Sequence, residues 1–199
     1  MDSKIGGSKM TEIRDSLSGE KVRLIPLDAE RDSVSLSLWH RNSEYSRLLD
    51  SDPATLYSSS ATKKWLEENE LAQDYVAFAM QSKADGKILG EIGLSGFSGN
   101  FTNAFVGLGI GDPQYWGRGY GSDAMLIILR YAFEVLNLHR VTLSVFEYNP
   151  RAIHSYEKCG FKHEGRMREA LGREGKRWDI LFMGITSSEW QETVNTNNR

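Results

Sequence analysis

The stretch VGLGIGDPQYWGRGYGSDAM, from Val106 to Met125, carries six glycines: Gly107, Gly109, Gly111, Gly117, Gly119 and Gly121. The first three alternate with Leu108 and Ile110, so a strand through them is apolar on one face and bare main chain on the other. The other three sit in a short loop that leads directly into an apolar helical stretch. A strand, a glycine loop and a helix start together present unpaired amides at the positive end of a helix, which suits an anion and a phosphate in particular. Glycine there permits positive φ and removes the Cβ that would hold a pyrophosphate away from the amides. Taken alone, these letters also fit a plain glycine-rich connection.

Two nucleotide motifs can be tested against this loop, and both fail. A P-loop needs Lys and then Ser or Thr after its last glycine, whereas Gly121 is followed by Ser122 and Asp123. The fingerprint G-x-G-x-x-G, counted from Gly117 and Gly119, ends on Ser122. With 199 residues, 40% hydrophobic and 26% charged, the chain is long enough for one sizeable core and short for two domains. A net charge of -3 and the lack of a basic stripe argue against nucleic acid as the partner. Cys159 is the single cysteine and cannot form an internal disulfide, which suits the cytoplasm. His40, His139, His154 and His163 have no zinc-ligand spacing, so no metal is expected. No apolar run is long enough to span a membrane. The opening MDSKIGGSKMTEIRDSLSG lacks the apolar centre of a secretory signal, so residues 1–19 read as a flexible extension.

The rest of the chain reads as a mixed α/β domain over residues 20–191. KVRLIPL, from Lys21 to Leu27, is a strand, and Asp28 caps a helical region running through DAERDSVSLSLWHRNSEYSRLL. The irregular DSDPATLYSSS precedes a short helix around ATKKWLEENEL. YVAFAMQSK and KILGEIGLSGF are strands joined through Ala84-Asp85-Gly86, a hairpin signal. After the glycine strand, SDAMLIILRYAFEVLNL is a helix from Ser122, apolar around much of its circumference and so buried against a sheet. HRVTLSVFE is a strand, and NPRAIHSYEKCGF is a short helix that stops at Gly160. Closing strands near 161–169 and 176–186 leave a polar tail at 192–199.

Asn149 suits a helix cap and Pro150 the first helical position, and Tyr156 follows two turns, or ~10 Å, along the same face. The run Asn149-x6-Tyr156-x3-Gly160-Phe161, together with the glycine strand and loop, resembles the GNAT superfamily of acyl-CoA-dependent N-acetyltransferases. The resemblance extends from about Glu20 to Trp190. In its general layout, with DPQYWGRGYGSDA and a final GKRWDILFMGI, it is most similar to the branch that holds ribosomal-protein N-terminal alanine acetyltransferases and some polyamine acetyltransferases. It implies a mixed, mostly antiparallel sheet of about seven strands, flanked by helices and splayed between the glycine strand and the strand from His139 to Glu147. The pantetheine arm of acetyl-CoA is then expected in the opening, paired with backbone at Gly109, Ile110 and Gly111 and touched by Asn149. Its pyrophosphate is expected on the amides of Gly117, Arg118, Gly119, Tyr120, Gly121 and Ser122. Where the family pattern Q/R-x-x-G-x-G/A has Gln or Arg, this chain has Trp116 when aligned on Gly119 and Gly121.

The activity so implied is direct acetyl transfer from acetyl-CoA to a primary amine, either a protein N-terminus or a polyamine or other small amine. A homodimer is compatible with the resemblance. The alternative is a non-catalytic acyl-CoA-binding sensor, which would not need Tyr156. In the catalytic reading Tyr156 is the general acid, since a phenol stays protonated at neutral pH and can donate to a departing thiolate; otherwise it packs the helix to the sheet. The base is less directly indicated, because related enzymes place a glutamate five residues before the asparagine and Ser144 stands there. Glu91 on the preceding strand is the candidate, with Glu147 or a water relay as substitutes. Cys159 has no evident activating histidine and reads as a small apolar residue. Arg151 and Lys158 are further candidates for the phosphates, and Arg118 would act through its backbone. The segment from Tyr45 to Tyr57 is expected to form the acceptor side, with Asp50 and Asp52 either attracting an ammonium group or solubilising a loop.

Overall fold

The structure, a computed structural model, describes residues 16–70, 72, 74–96 and 102–197. Residues 1–15, which make up most of the expected extension, and residues 71, 73, 97–101 and 198–199 lie outside it. The elements are β1 (Val22–Pro26), α1 (Ala29–Trp39), α2 (Ser43–Leu49), α3 (Ser59–Asn69), β2 (Tyr75–Ser82), β3 (Ile88–Ser95) and β4 (Asn103–Ile110). They continue with α4 (Tyr120–Arg130), β5 (Arg140–Phe146), α5 (Pro150–Lys158), β6 (Lys162–Arg173), β7 (Lys176–Thr186) and α6 (Ser187–Asn197). Seven strands form one sheet in the order β1-β2-β3-β4-β5-β7-β6. All neighbours are antiparallel except β4 and β5, which run parallel. Among the described residues no helix is long and apolar enough to cross a membrane.

Local chemistry sets the boundaries and explains the departures from expectation. Asp28 caps α1 by accepting from the Arg31 amide at 2.7 Å. The helical region does not run on through residue 49, because the Asn42 side chain accepts from the amides of Glu44 and Tyr45 and starts α2 afresh. Tyr45 lies in this second helix and is 3% exposed. α4 starts at Tyr120, two residues before the expected Ser122, because Gly119 at φ 85° makes the turn into it. Beyond Arg130 the helix widens by one residue per turn, and Leu136 N donates to Tyr131 O five residues back at 3.0 Å.

At the C-terminal end β6 runs past residue 169 to Arg173. Glu169, at φ 52°, absorbs the register shift between Met167 and Leu171, and its amide donates to Asp179 Oδ1 at 2.8 Å. The polar tail expected from residue 192 is instead the last part of α6, which Glu189 anchors by accepting from the Thr186 amide at 2.8 Å. Trp190 of this helix is 6% exposed and lies against Phe133. Residues 16–19 of the expected extension are likewise tied down, with Leu17 O accepting from Leu24 N at 2.8 Å.

The central packing is that of α4 on the sheet, where it meets β1, β3 and β4. It buries Ala124, Met125, Ile127, Ile128 and Leu129. Each large apolar side chain so buried contributes about 1.5–3 kcal/mol, which holds the start of α4 in place beside the end of β4. Asp123 adds a second fixing point, because its carboxylate accepts from the amides of Glu20, Lys21 and Val22 at 3.0, 2.8 and 2.9 Å. Gly19 makes that approach possible, since a Cβ there would lie 2.6 Å from the carboxylate oxygens.

Candidate active site

Among the described residues β4 and β5 pair through Asn103–Arg140, Ala104–Val141 and Phe105–Thr142, and beyond Phe105 their edges part. The expected splay is therefore present. Thr102 O accepts from His139 N and Arg140 N, while Gly111 N donates to Leu89 O at 2.9 Å. Strand alternation then turns the amides and carbonyls of even-numbered residues toward β5 and those of odd-numbered residues toward β3. Leu108 and Ile110 present backbone to the opening. Of the three residues expected to pair with the arm, Gly109 and Gly111 turn their main-chain groups to β3, and Ile110 turns its own to the opening. One paired position fixes this parity, and no pairing was available from the letters alone.

The bare face of β4 is covered by protein. A Cβ on Gly109 would lie 2.7 Å from Tyr45 Oη and 3.0 Å from Leu49 Cδ1, and one on Gly111 would fall inside the Trp39 ring. Gly107 faces open space. Side chains of α1 and α2 thus answer for two of the alternating glycines. The opposite face of the strand meets α4, where a Cβ on Gly121 would touch Ile110 Cδ1 at 3.5 Å and Leu108 Cδ2 at 3.6 Å.

At the helix end Gly117 and Gly119 adopt φ 71° and 85°. Asp123 N closes the first helical bond on Gly119 O at 3.0 Å, and no side chain caps α4. The amides of Tyr120, Gly121 and Ser122 are left without a helical acceptor, in the arrangement that holds anions. The negative charge of Asp123 is turned away toward the start of β1. Lys21 lies close by, and a Cβ on Gly119 would meet its Cε at 3.4 Å. That cation went unnoticed in the sequence, where it lies about a hundred residues from the loop it approaches.

α5 forms the opposite wall. Asn149, 8% exposed, caps it by accepting from Ala152 N at 3.2 Å, and Ser155 Oγ lies 2.7 Å from Ser122 Oγ, linking α5 to the start of α4. Trp116, standing where Gln or Arg is usual, donates its indole N–H to Ile110 O at 2.7 Å. The Arg151 guanidinium stacks 4.2 Å from the centroid of the same indole, so the loop after β4 meets α5 across the mouth of the opening. Between these walls lies a cleft of about 250 Å³, reached also by Tyr45, Leu48 and Leu49 from α2 and by Tyr156 and Lys158 from α5.

Tyr156 packs edge-on to Phe161, at a ring-centroid distance of 6.0 Å, while its hydroxyl makes no hydrogen bond with the described residues. Burial, with a smaller contribution from Cys159, pushes its pKa up to about 12, so it carries its proton throughout the physiological range. Cys159 is buried, with Sγ 3.6 Å from Ser122 O, and burial lifts its thiol to about 12, in keeping with a packing role. Glu91 lies directly across from Gly109 on β3. Its Oε2 is buried without a hydrogen-bond partner, and burial first and Asp32 second raise its pKa to about 7. It does not line the cleft itself. Glu147 is committed to the sheet, its Oε1 accepting from Asp179 N at 2.8 Å.

Asp50 and Asp52 are exposed and do not line the cleft either. Their segment is held by Arg173 at the tip of the β6–β7 hairpin, whose guanidinium donates to Asp50 O, Ser51 O and Asp52 O at 3.1, 3.2 and 3.2 Å. Arg173 also donates to Arg47 O and Tyr148 Oη. Nothing in the sequence brings residue 173 to residue 50; the hairpin does.

This cleft has the form expected of an acetyl-CoA-dependent acyltransferase, and comparison with known proteins agrees. The acetyltransferase (GNAT) domain family matches residues 21–162, and the chain belongs to that family. It is 37% identical over 78 residues to spermidine N(1)-acetyltransferase of Vibrio cholerae, a match covering 39% of this chain and 45% of that enzyme's length. It is 29% identical over 136 residues to the SPbeta prophage-derived uncharacterized N-acetyltransferase YokL of Bacillus subtilis, covering 67% of this chain and 74% of YokL. The fold superposes on the crystal structure of spermidine N-acetyltransferase from Vibrio cholerae in complex with CoA and spermine with a TM-score of 0.77 and 23% identity, over 85% of this chain and 98% of that one. Among the acceptor classes expected from the sequence, the two spermidine acetyltransferases lie on the polyamine side and not with the ribosomal-protein enzymes.

Proposed function

We propose that this protein transfers the acetyl group of acetyl-CoA directly to the primary amine of a small cationic acceptor of the polyamine class. The observation that carries the reading is the parted β4–β5 edge ending at the uncapped start of α4, a slot with backbone partners along its length and free amides at its end. Leu108 and Ile110 would pair with the pantetheine arm, and Gly117 to Ser122 would receive the pyrophosphate, with Lys21 adding positive charge. A protein N-terminus, the first acceptor suggested by the sequence, is supported by none of the relatives above. A purely CoA-binding sensor would have no use for a protonated, unpartnered Tyr156 hydroxyl at the cleft.

Glu91 is the proposed base and Tyr156 the proposed acid. The acceptor arrives as an ammonium ion and gives one proton to Glu91. The freed nitrogen attacks the thioester carbonyl and forms the C–N bond, giving a tetrahedral oxyanion that collapses as the C–S bond breaks. Tyr156 supplies the proton for the departing thiolate and recovers it, through solvent, from the nitrogen as the amide is released. The amides of Leu108 and Ile110, which face the opening, are the donors on β4 that could stabilise the oxyanion formed between these steps. The test is a panel of spermidine, spermine, simple diamines and N-terminal peptides assayed for acetyl-CoA-dependent CoA release. Turnover confined to the peptides would overturn the acceptor class, and CoA binding without turnover of any amine would favour the sensor.

A further inference from the structure

Tyr45 and Glu91 pose a problem that the acid and base assignments leave unanswered. Tyr45 is 3% exposed, yet it lines the cleft, whereas Glu91 does not. Tyr45 Oη and Glu91 Oε2 are both buried, and neither has a hydrogen-bond partner. An unpartnered buried polar atom is costly, and two beside the same glycine call for a common explanation. Tyr45 Oη rests over Gly109, the residue directly opposite Glu91 in the ladder, and only the missing Cβ at Gly109 lets it lie there. The two groups are close enough for the Glu91 carboxylate to reinforce the effect of burial on the Tyr45 phenol, which is held far above its ordinary pKa.

We propose that Tyr45 is the proton relay between the acceptor amine in the cleft and the Glu91 carboxylate behind it. The inference rests on the assignment of Glu91 as base. The two atoms are not hydrogen-bonded to each other as they stand, so the relay requires them to close to hydrogen-bond distance when the acceptor binds; the ammonium N–H proton then passes to Tyr45 Oη as the phenol proton passes to Glu91 Oε2. The nitrogen is left neutral with its lone pair free, the phenol is regenerated, and the carboxylate becomes a carboxylic acid. No tyrosinate accumulates, because a phenol so deeply buried gives up its proton only as it receives another. The groups that act on the pair come from two elements, α1 and β2. Asp32 of α1, itself paired with Arg31, and Tyr75 of β2 interact with Glu91, and His40, at the end of α1, meets Tyr45 edge-on at 5.5 Å. Burial lowers the pKa of that histidine, so it stays neutral where the enzyme would work and does not compete as a cation.

Tyr45→Phe tests the relay with little risk to folding, because the hydroxyl it removes holds no hydrogen bond. The parent is expected to show kcat/KM for spermidine rising with pH and levelling near pH 7, where Glu91 becomes ionised. In Tyr45→Phe kcat/KM should fall about 10²-fold, within the usual worth of a positioned proton-transfer group. The plateau should also disappear, with the rate climbing toward the acceptor's own pKa. The Kd for acetyl-CoA, measured by calorimetry, should stay within twofold. A Phe variant that keeps both the plateau and the parental kcat/KM overturns the relay. Glu91→Gln, run in parallel, separates the two claims: if it too keeps the plateau, Glu91 is not the base, whereas loss of the plateau in Gln alone leaves the base standing and removes only Tyr45.

Discussion

Glu91→Gln should make the protein more stable at alkaline pH while disabling it. Burial raises the Glu91 carboxyl from 4.5 to about 7 in the folded chain. The folded state therefore binds this proton more tightly than the unfolded state. Its contribution to stability is fully present below pH ~4.5 and is lost as pH rises through ~7. A shift of that size corresponds to about 3 kcal/mol between the two ends of the window. Gln has nearly the same shape and no charge to desolvate, and the cost of burying its amide does not change with pH. The stability of the variant relative to the parent should accordingly improve by about 2–3 kcal/mol between pH 5 and pH 8. Urea denaturation of both proteins at the two pH values measures this difference directly, with the fixed cost of the amide cancelling. Turnover of amine should drop ~10²- to 10⁴-fold in the same variant. Parallel pH–stability curves for parent and variant would show that Glu91 titrates normally and would remove the physical basis for making it the base.

Tyr156→Phe keeps the ring against Phe161 and should leave acetyl-CoA affinity unchanged while lowering kcat by roughly 10²- to 10⁴-fold; a near-normal single-turnover rate would return the residue to packing. Gly119→Val forces a β-branched residue to φ 85° and should abolish measurable CoA binding by calorimetry in a chain that still folds, at a cost of about 1–2 kcal/mol or more in stability. Unchanged affinity would take the pyrophosphate away from this loop. Arg173→Ala releases the carbonyls of residues 50–52 and should raise the acceptor KM severalfold with little effect on acetyl-CoA binding, whereas Arg173→Lys should recover only part of it, since one ammonium cannot reproduce the fork. Equal KM values in all three proteins would separate this segment from acceptor binding.

What the sequence disclosed is what is encoded locally. The alternating glycines gave the strand, Asn149 and Pro150 gave the start of α5, and Ala84-Asp85-Gly86 gave the hairpin between β2 and β3. The run of α4 was legible from its apolar residues, though its start was not, because Gly119 serves as the cap without a side chain to announce it. Misreadings arose where pairing across the fold decides the outcome. Which backbone groups of β4 face the opening depends on a ladder with β3 that no local pattern contains. The break between α1 and α2 is likewise hidden, because Asn42 does not announce itself as a fresh cap inside a continuous helical pattern. Tyr45 supplies the reason for Gly109, which had been ascribed to a ligand. Lys21, Asp123 and Arg173 act on partners about a hundred or more positions away, and single charged residues carry no mark of such reach.

The narrow junction between β4 and β5 has a mechanical meaning. Four strands lie on one side of it and three on the other, and among the described residues the ladder between them consists of three residue pairs near Asn103. The two halves of the sheet thus meet along a short seam, and at the cleft end they are joined through side chains, Ser122 with Ser155 and Trp116 with Arg151. A ligand that bonds to the Leu108–Ile110 edge while resting against α5 acts as a brace between the halves. Its affinity then includes the work of holding them at one angle. Substitutions that loosen or tighten the three rungs should accordingly change how firmly acetyl-CoA is held without touching any atom that contacts it.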